Sequence, residues 1–492
     1  MRDHRRRVII TTDMEIDDMN SMVHLALYLN LLDVEAIVYT ASQYHFLGDG
    51  RHTLGEVNPH WRTKGRRSLE WEVVPHEPDP EAGSLTSYRP WPVHWLEDLW
   101  ATDYAAAWPN LCANAAAAGE PTFPSPEELL AKTFVGNVAF EGDVRKDTPG
   151  SDAIRAAILD DDPRALWLLS WGGANTIVRA LMSIAAEYAD TPEWPAVQSR
   201  VCEKVRIIGI MDGVGQDNSW QDHGRKLFAQ LKILRTSFFY GGYVDARMGQ
   251  PDTLPLFRAP WPEQNITQGN GPLMARYALY GDGKVYEGEA ERFQFGKHAR
   301  LDWGLPGVPA IRFDPGDFLA EGDSISYMPL LPFGLRGAND LAFSTVLGRL
   351  YPDGGKPPVD VGPFSAADEN VNPFLRAYQQ DFAARAQWCA HAPEACNHAP
   401  IITEVTADCA AAPGETVQLS AAADDPDGDA VTCGWHRYAD GGEVLWSADG
   451  ANATFAVPAN AIPGEKIVLT LVAQDDALRP MTRYAQVGVT VR

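Results

Sequence analysis

Three carboxylates crowd the start of this 492-residue chain: Asp13, Asp17 and Asp18, within Val8-Ile9-Ile10-Thr11-Thr12-Asp13-Met14-Glu15-Ile16-Asp17-Asp18-Met19. Hard cations such as Ca²⁺ take several carboxylate oxygens at one point, and this spacing can supply them. The same acids have a second explanation. Asp is a good helix N-cap, and acids in a first turn complement the helix dipole. That accounts for Asp17 or Asp18, but not for a third acid at Asp13.

A strand and a helix must position these groups. Val8–Ile10 is a β-branched run that reads as a buried strand leading into Asp13, and Met19 to about Leu32 reads as an apolar helix. Carboxylates at the carboxyl end of a strand stand where open α/β sheets place their ligands. The alternation continues with strands at Val34–Thr40, Ala165–Trp171 and Val205–Met211. Helices are expected at Ser125–Phe134, opened by Ser125-Pro126-Glu127-Glu128, at Ser151–Asp160 and at Asn175–Tyr188. This pattern predicts an α/β fold: a mostly parallel open sheet with helices on both faces.

Residues 51–91 break the rhythm and read as a long insertion near the mouth of the sheet. In and beside it, Trp61, Trp71, Trp91 and Trp95 either offer platforms to a sugar ring or pack the insertion down. Three segments follow from composition: an α/β domain over 1–345, a linker or irregular subdomain over 346–398, and an Ig-like all-β sandwich over 399–492. The sandwich loop Asp424-Asp425-Pro426-Asp427-Gly428-Asp429 is similar to loops of cadherin-like and polycystic-kidney-disease-type modules. It either holds Ca²⁺ or is a plain Asp-Gly turn.

Strand, Asp, three residues, Asp-Asp, helix resembles the signature of the nucleoside hydrolase superfamily. Thr11-Thr12-Asp13-Met14-Glu15-Ile16-Asp17-Asp18-Met19-Asn20-Ser21-Met22 is more closely similar to the cellulose-associated, nucleoside-hydrolase-like branch. The likeness continues at Ser42-Gln43-Tyr44-His45, Gly48-Asp49-Gly50, Gly136-Asn137-Val138-Ala139-Phe140-Glu141-Gly142, Trp171-Gly172-Gly173-Ala174-Asn175-Thr176 and Glu321-Gly322-Asp323. It implies a Ca²⁺-dependent hydrolase of a glycosidic bond, N- or O-linked, in a furanose-like sugar. By this resemblance Asp13 is metal ligand and general base, Asp18 and Asp323 are further ligands, and Asn175 lends its backbone carbonyl. Asp17 would hold a sugar hydroxyl. His45, which follows the second strand, is a candidate donor to the leaving group. Asn137 and Glu141, set between apolar residues, and Gln216, Asp217 and Asn218, after a strand end, are further substrate-side candidates; each is equally well explained as a loop residue satisfying backbone groups.

The chain departs from the superfamily pattern in three places. Thr11 replaces an Asp, Met14-Glu15 replaces Pro-Gly, and Gly322 stands where some nucleoside hydrolases carry a leaving-group His. These changes leave the cation and sugar chemistry in place and put nucleoside specificity in doubt. The alternative function is non-catalytic binding of a cellulose-type polysaccharide, with the sandwich as binding, packing or dimerisation module.

The formal net charge of −25 disfavours nucleic acid as a partner, since phosphate binding needs clustered Lys and Arg. No apolar run reaches the roughly 20 residues that span a bilayer. A small-molecule or oligosaccharide substrate is expected, and a homo-oligomer is compatible with the sequence. The basic start, Arg2 to Arg7, reads as a solvated tail without the apolar stretch of a secretory signal. Of six cysteines, Cys389 with Cys396 and Cys409 with Cys433 are candidate disulfides, which would favour an extracytoplasmic location over a cytoplasmic one.

Overall fold

The computed structural model describes residues 5–60, 82–90, 94–209, 217–236, 253–284, 296, 301–303, 311–355, 372–439, 442–444 and 448–492. Strands β1 (Arg6–Thr12), β2 (Leu32–Tyr39), β3 (Thr133–Val135), β4 (Leu166–Ser170), β5 (Val205–Ile208), β6 (Lys232–Thr236) and β9 (Leu350–Pro352) form one sheet. Their order is β3-β2-β1-β4-β5-β6-β9. Only the β6–β9 pair is antiparallel. β7 (Leu301–Trp303) and β8 (Ile311–Phe313) make a separate antiparallel pair.

β1 sits in the middle, covered on both faces, and its apolar run is therefore unbroken. Val8 and Ile10 join the core built with the helix Ile16–Ala26, while Ile9 joins a second core with the helices Pro149–Leu159 and Asn175–Tyr188. From β1 the chain builds β2 and β3 on one side, then returns to place β4 on the other. The order thus reverses between β1 and β4, and the crevice beyond their carboxyl ends is where such sheets bind ligands.

Several expectations need correction. The first helix starts at Ile16 and ends at Ala26, and Leu29–Leu31 is a short 3₁₀ turn leading into β2. The apolar run disguised this end; the buried Asn30 marks it, donating to Glu120 and to the Pro121 carbonyl. The helix opened by Ser125 stops at Ala131, because Thr133-Phe134-Val135 pairs with β2 as β3. Its start was read correctly, since Ser125 and Glu128 form a reciprocal capping box. Arg7 is not a solvated tail residue: it lies buried in β1, paired with Glu35 and Asp160. Within 346–398, β9 closes one edge of the sheet and the helix Leu375–Trp388 packs into the larger core.

The C-terminal strands form two facing sheets. One holds β10 (Ile401–Val405), β12 (Thr416–Asp424), β15 (Ala448–Asp449) and β16 (Asn452–Ala456), ordered β10-β12-β16-β15. The other holds β11 (Cys409–Ala411), β13 (Thr432–Ala439), β14 (Gly442–Val444), β17 (Lys466–Gln474) and β18 (Thr482–Val491), ordered β11-β18-β17-β13-β14. Val417, Leu419 and Phe455 meet Trp435, Leu469, Leu471 and Val487 between them. β18 faces the α/β domain: the Tyr484 amide donates to the Phe333 carbonyl, and Arg483 pairs with Asp381 at 2.7 Å.

All six cysteines are free thiols, so the proposed disulfides are absent. Cys409 on β11 and Cys433 on β13 lie three strands apart in one sheet, about 14 Å at the ordinary strand spacing and beyond disulfide reach. Cys389 ends the Leu375–Trp388 helix, where burial raises its thiol pKa and favours the protonated form. The disulfide argument for an extracytoplasmic location lapses with them. Among the described residues, no helix is long and apolar enough to cross a membrane.

Candidate metal centre

β1 ends in a strained turn. Met14 takes φ 59°, the left-handed region that non-glycine residues rarely occupy, and such outliers collect at functional sites. A proline, with φ held near −65°, cannot adopt this conformation, so Met14 in place of the superfamily's Pro belongs to a rebuilt turn. Thr12 Oγ1 donates to Asp18 Oδ1, and the Met14 amide returns to Thr12 Oγ1. Glu15 caps the helix by position but makes no side-chain cap; Asp17 and Asp18 fall in its first turn. The N-cap explanation of Asp17 and Asp18 therefore gives way. Glu15 instead pairs with the buried Arg89, at the end of the 51–91 insertion.

The second half of the centre arrives from 300 residues downstream. Asp323 precedes a short helix, Ser324–Tyr327, in a turn anchored by the fully buried Glu321. Glu321 accepts hydrogen bonds from Tyr277 and from Ser324 at 2.6 Å, and lies 2.7 Å from His24 Nδ1. Asn20, on the same face of the first helix, donates to the carbonyls of Ala278 and Ala320 and accepts from the Ala278 amide. Asn20 and His24 thus fasten the loop bearing Asp323 to the helix bearing Asp17 and Asp18. Sequence reasoning missed Glu321, His24 and Tyr277; the i, i+4 spacing of Asn20 and His24 on an apolar helix was the available signal.

Oxygen atoms of Asp17, Asp18 and Asp323 lie within 4.8 Å of one another. Asp13 stands beside them, buried, with Oδ2 accepting from Ser42 Oγ. Two glycines make room. A Cβ on Gly172, itself at φ +85°, would come within 2.8 Å of the Asp13 carboxyl carbon, and one on Gly322 would overlap Asp17 Oδ2. Burial pushes the Asp17 carboxyl well above the usual range, reinforced by Asp323, Glu15 and Asp13. Burial raises Asp18 likewise, with Asp323, Asp13 and Asp17 adding to it. Asp323 is pushed up to about 8, by burial first and then by Asp13. Carboxylates this close cannot all stay ionised unless protons or a cation intervene. An all-oxygen, like-charged donor set fits a hard divalent cation. Asp17 and Asp323 keep exposed edges, so the cluster is reached from their side.

The other sequence candidates are placed less directly. Asn175 opens its helix, which directs its carbonyl along the helix axis. Its side chain is a loop clasp: it accepts from Thr40 Oγ1 and donates to the Asn137 carbonyl. Asp217 receives the Asn175 amide at 2.9 Å and the Ser219 amide at 2.9 Å. Asn137 spans Lys146 and Thr148, and Asn218 donates to the His60 carbonyl. His45 and Glu141 are buried. Of the ionisable ones, His45, Glu141 and Asp217 are not among the three acids whose oxygens converge.

Trp95 is buried in the larger core, in line with a packing role; Trp61, Trp71, Trp91 and Gln216 lie outside the described residues. In the sandwich, Asp425, Asp427 and Asp429 also bring oxygens within 4.8 Å of one another, at an exposed turn. There Asp425 accepts the Asp427 and Asp429 amides, as a loop carboxylate does, and His398 approaches Asp427 at 2.8 Å.

A family model described as "Cellulose-binding Sde182, nucleoside hydrolase-like domain" matches residues 7–350, and "Cellulose-binding protein Sde0182, C-terminal domain" matches residues 416–491. Among solved structures, a nucleoside hydrolase-related hypothetical protein from Saccharophagus degradans, associated with carbohydrate metabolism, is similar over 99% of this chain and 100% of its own. Its TM-score is 0.63 and its identity 24%, so the likeness is one of fold. The polycystic-kidney-disease domain of an M14-like peptidase from a Thermoplasmatales archaeon is also similar. It covers 19% of this chain and 92% of its own, at 21% identity and a TM-score of 0.15. No curated protein matches.

Proposed function

This chain belongs to the cellulose-binding Sde182 family, with its nucleoside hydrolase-like domain, and from that premise we propose that it hydrolyses a glycosidic bond of a furanose-like sugar with the help of Ca²⁺. The observation that carries this reading is the convergence of Asp17, Asp18 and Asp323 beside buried Asp13, at the reversal of strand order. Asp17, Asp18 and Asp323 would hold the cation, with Asp13 at its edge. Bound there, the cation supplies a water of lowered pKa and a point of attachment for sugar hydroxyls.

The chain's own groups have separate roles. Asp13, oriented by Ser42, takes the proton of the attacking water as general base. Asp17, on the open side, accepts a sugar hydroxyl. Gly322 supplies no acid to the leaving group, so the reading favours a leaving group that departs without protonation at that position, or one served from elsewhere. An extracytoplasmic location and a saccharide substrate belong to the same proposal.

The test is release of reducing sugar from a panel of nucleosides and furanosides, with and without EDTA. Activity should vanish in Asp13→Ala and in EDTA. No release by wild type across a broad panel would sink the enzymatic reading.

A second reading, polysaccharide binding without catalysis, draws on the family's description and on the absent acid at Gly322. In a cellulose pull-down it expects retention of both Asp13→Ala and metal-free protein, together with no activity in the panel.

A further inference from the structure

Strain gathers on one ion pair beside the carboxylates. Among the described residues, those with positive φ that are not glycine are Met14 at 59°, Arg89 at 42° and His94 at 75°. Met14 immediately precedes Glu15, and Arg89 Nη2 lies 3.2 Å from Glu15 Oε1. Left-handed backbone is costly for a residue with a Cβ and persists where the surroundings enforce it. Both ends of this one contact carry such a residue.

Each partner is held by its own backbone. The Glu15 carbonyl accepts the Met19 amide at 2.9 Å, opening the helix that bears Asp17 and Asp18. Arg89 arrives from the other direction. Tyr88 and Phe46 exchange backbone hydrogen bonds of 2.9 and 3.0 Å, and the Thr86 carbonyl lies where a Cβ on Gly48 would overlap it. The stretch from Ser42 to Gly48 is also the one whose Ser42 donates to Asp13. The two lengths of chain joined at Phe46 and Tyr88 therefore approach the acids together, one reaching Asp13 and the other Glu15. The Arg89 side chain is 3% exposed and that of Glu15 13%, so the pair is largely withdrawn from water.

We propose that Arg89 is a positioning residue that keeps Glu15 out of the cation's shell, leaving those positions to water and sugar. This rests on the cation reading given above. Glu15 stands two residues before Asp17, and its charge acts on both Asp17 and Asp323. Ca²⁺ takes about six to eight oxygens, and one oxygen from each neighbouring acid leaves several positions unfilled. An unrestrained carboxylate at Glu15 would be drawn to the ion and would take a place that the attacking water or a sugar hydroxyl needs. A guanidinium holds a carboxylate in a directed geometry and keeps its charge at every working pH. That charge also opposes a cation nearby, so the pair weakens metal binding while it keeps positions open. A role confined to bolting the insertion onto the helix gives the opposite sign: losing Arg89 would loosen the turn and weaken binding.

The experiment is calorimetric titration of Ca²⁺ into the full chain, comparing wild type with Arg89→Gln, Glu15→Gln and the double variant. Arg89→Gln should bind about tenfold more tightly and Glu15→Gln about tenfold more weakly, as one unit charge near a divalent ion implies. The double variant should return to within about threefold of wild type. With Tb³⁺ in place of Ca²⁺, luminescence lifetimes in H₂O and D₂O count the waters on the ion. Arg89→Gln should lose about one of them, and the double variant should regain it. Weaker or unchanged Ca²⁺ binding by Arg89→Gln, or an unchanged water count, would overturn this inference and leave the cation reading intact. No Ca²⁺ binding by wild type would overturn both. Should Arg89→Gln fail to fold, the double variant decides: near wild-type affinity supports the proposal, and affinity no better than that of Glu15→Gln overturns it.

Discussion

Asp17 and Gly322 define each other. Replacing Gly322 with Ala puts a methyl group where the Asp17 oxygen now lies, so Asp17 must swing away from Asp18 and Asp323. The expected result is a tenfold or greater loss of Ca²⁺ affinity by calorimetry, with the thermal midpoint little changed, because the displaced group is the end of a side chain. The raised carboxyls also fix a pH dependence. A folded-state pKa above the unfolded one means that stability is full below the unfolded value, about 4, and is lost as pH rises through the folded value, about 8 for Asp323. In EDTA the thermal midpoint should therefore fall between about pH 4 and pH 8, and saturating Ca²⁺ should remove most of that slope. Asp323→Asn tests the same point differently. Asn needs no proton taken up on folding, so it should stabilise the metal-free protein by ~1–2 kcal/mol at neutral pH while weakening Ca²⁺ binding. A metal-free midpoint that is flat with pH would contradict this account of the cluster.

At the scale of elements, the first helix is both ligand carrier and fastening. Asn20→Ala would leave the Ala278 amide and two carbonyls unpaired in the interior, a loss of about 2–4 kcal/mol, and would free the loop holding Asp323. Chemical denaturation reads the first effect and Ca²⁺ affinity the second. Much of this scaffold was legible beforehand. The β-branched run into Asp13, the capping box at Ser125 and the span Asn175–Tyr188 all follow from local chemistry. What stayed hidden were tertiary events. Leu29–Leu32 continues an apolar helical pattern, yet the chain must turn there to enter β2. Glu321 stands in a motif without a role of its own until His24 and Tyr277, far apart in sequence, are seen to enclose it. The cysteines misled because their spacing says nothing about which strands of a sheet adjoin. Of the acid cluster, Asp17, Asp18 and Asp323 were named from sequence. The clearance at Gly172 and the clasp made by the Asn175 side chain were not, since both depend on backbone geometry.

The whole molecule is joined more tightly than a tethered module requires. Gly334, at φ +90°, packs against the Tyr484 carbonyl so closely that any side chain would overlap it. Arg385, fully buried, reaches Glu120 and Asp381, and Arg483 from β18 pairs with the same two acids. Gly334→Ala should therefore uncouple the domains, and calorimetry should show two unfolding transitions where wild type shows one. Sheet order carries a further consequence, for synthesis. The strand made first, β1, occupies the middle of the sheet, and its partner β4 lies about 160 residues later, as the pairing of Arg7 with Leu166 requires. At ~5–20 residues per second, a nascent chain holds that apolar strand without its second neighbour for about 10–30 s. Asp17 and Asp18 then wait for Asp323 through a comparable interval. The carboxylate cluster is a late event of folding, and until β4 is made the ribosome carries a half-built sheet in need of protection from other chains.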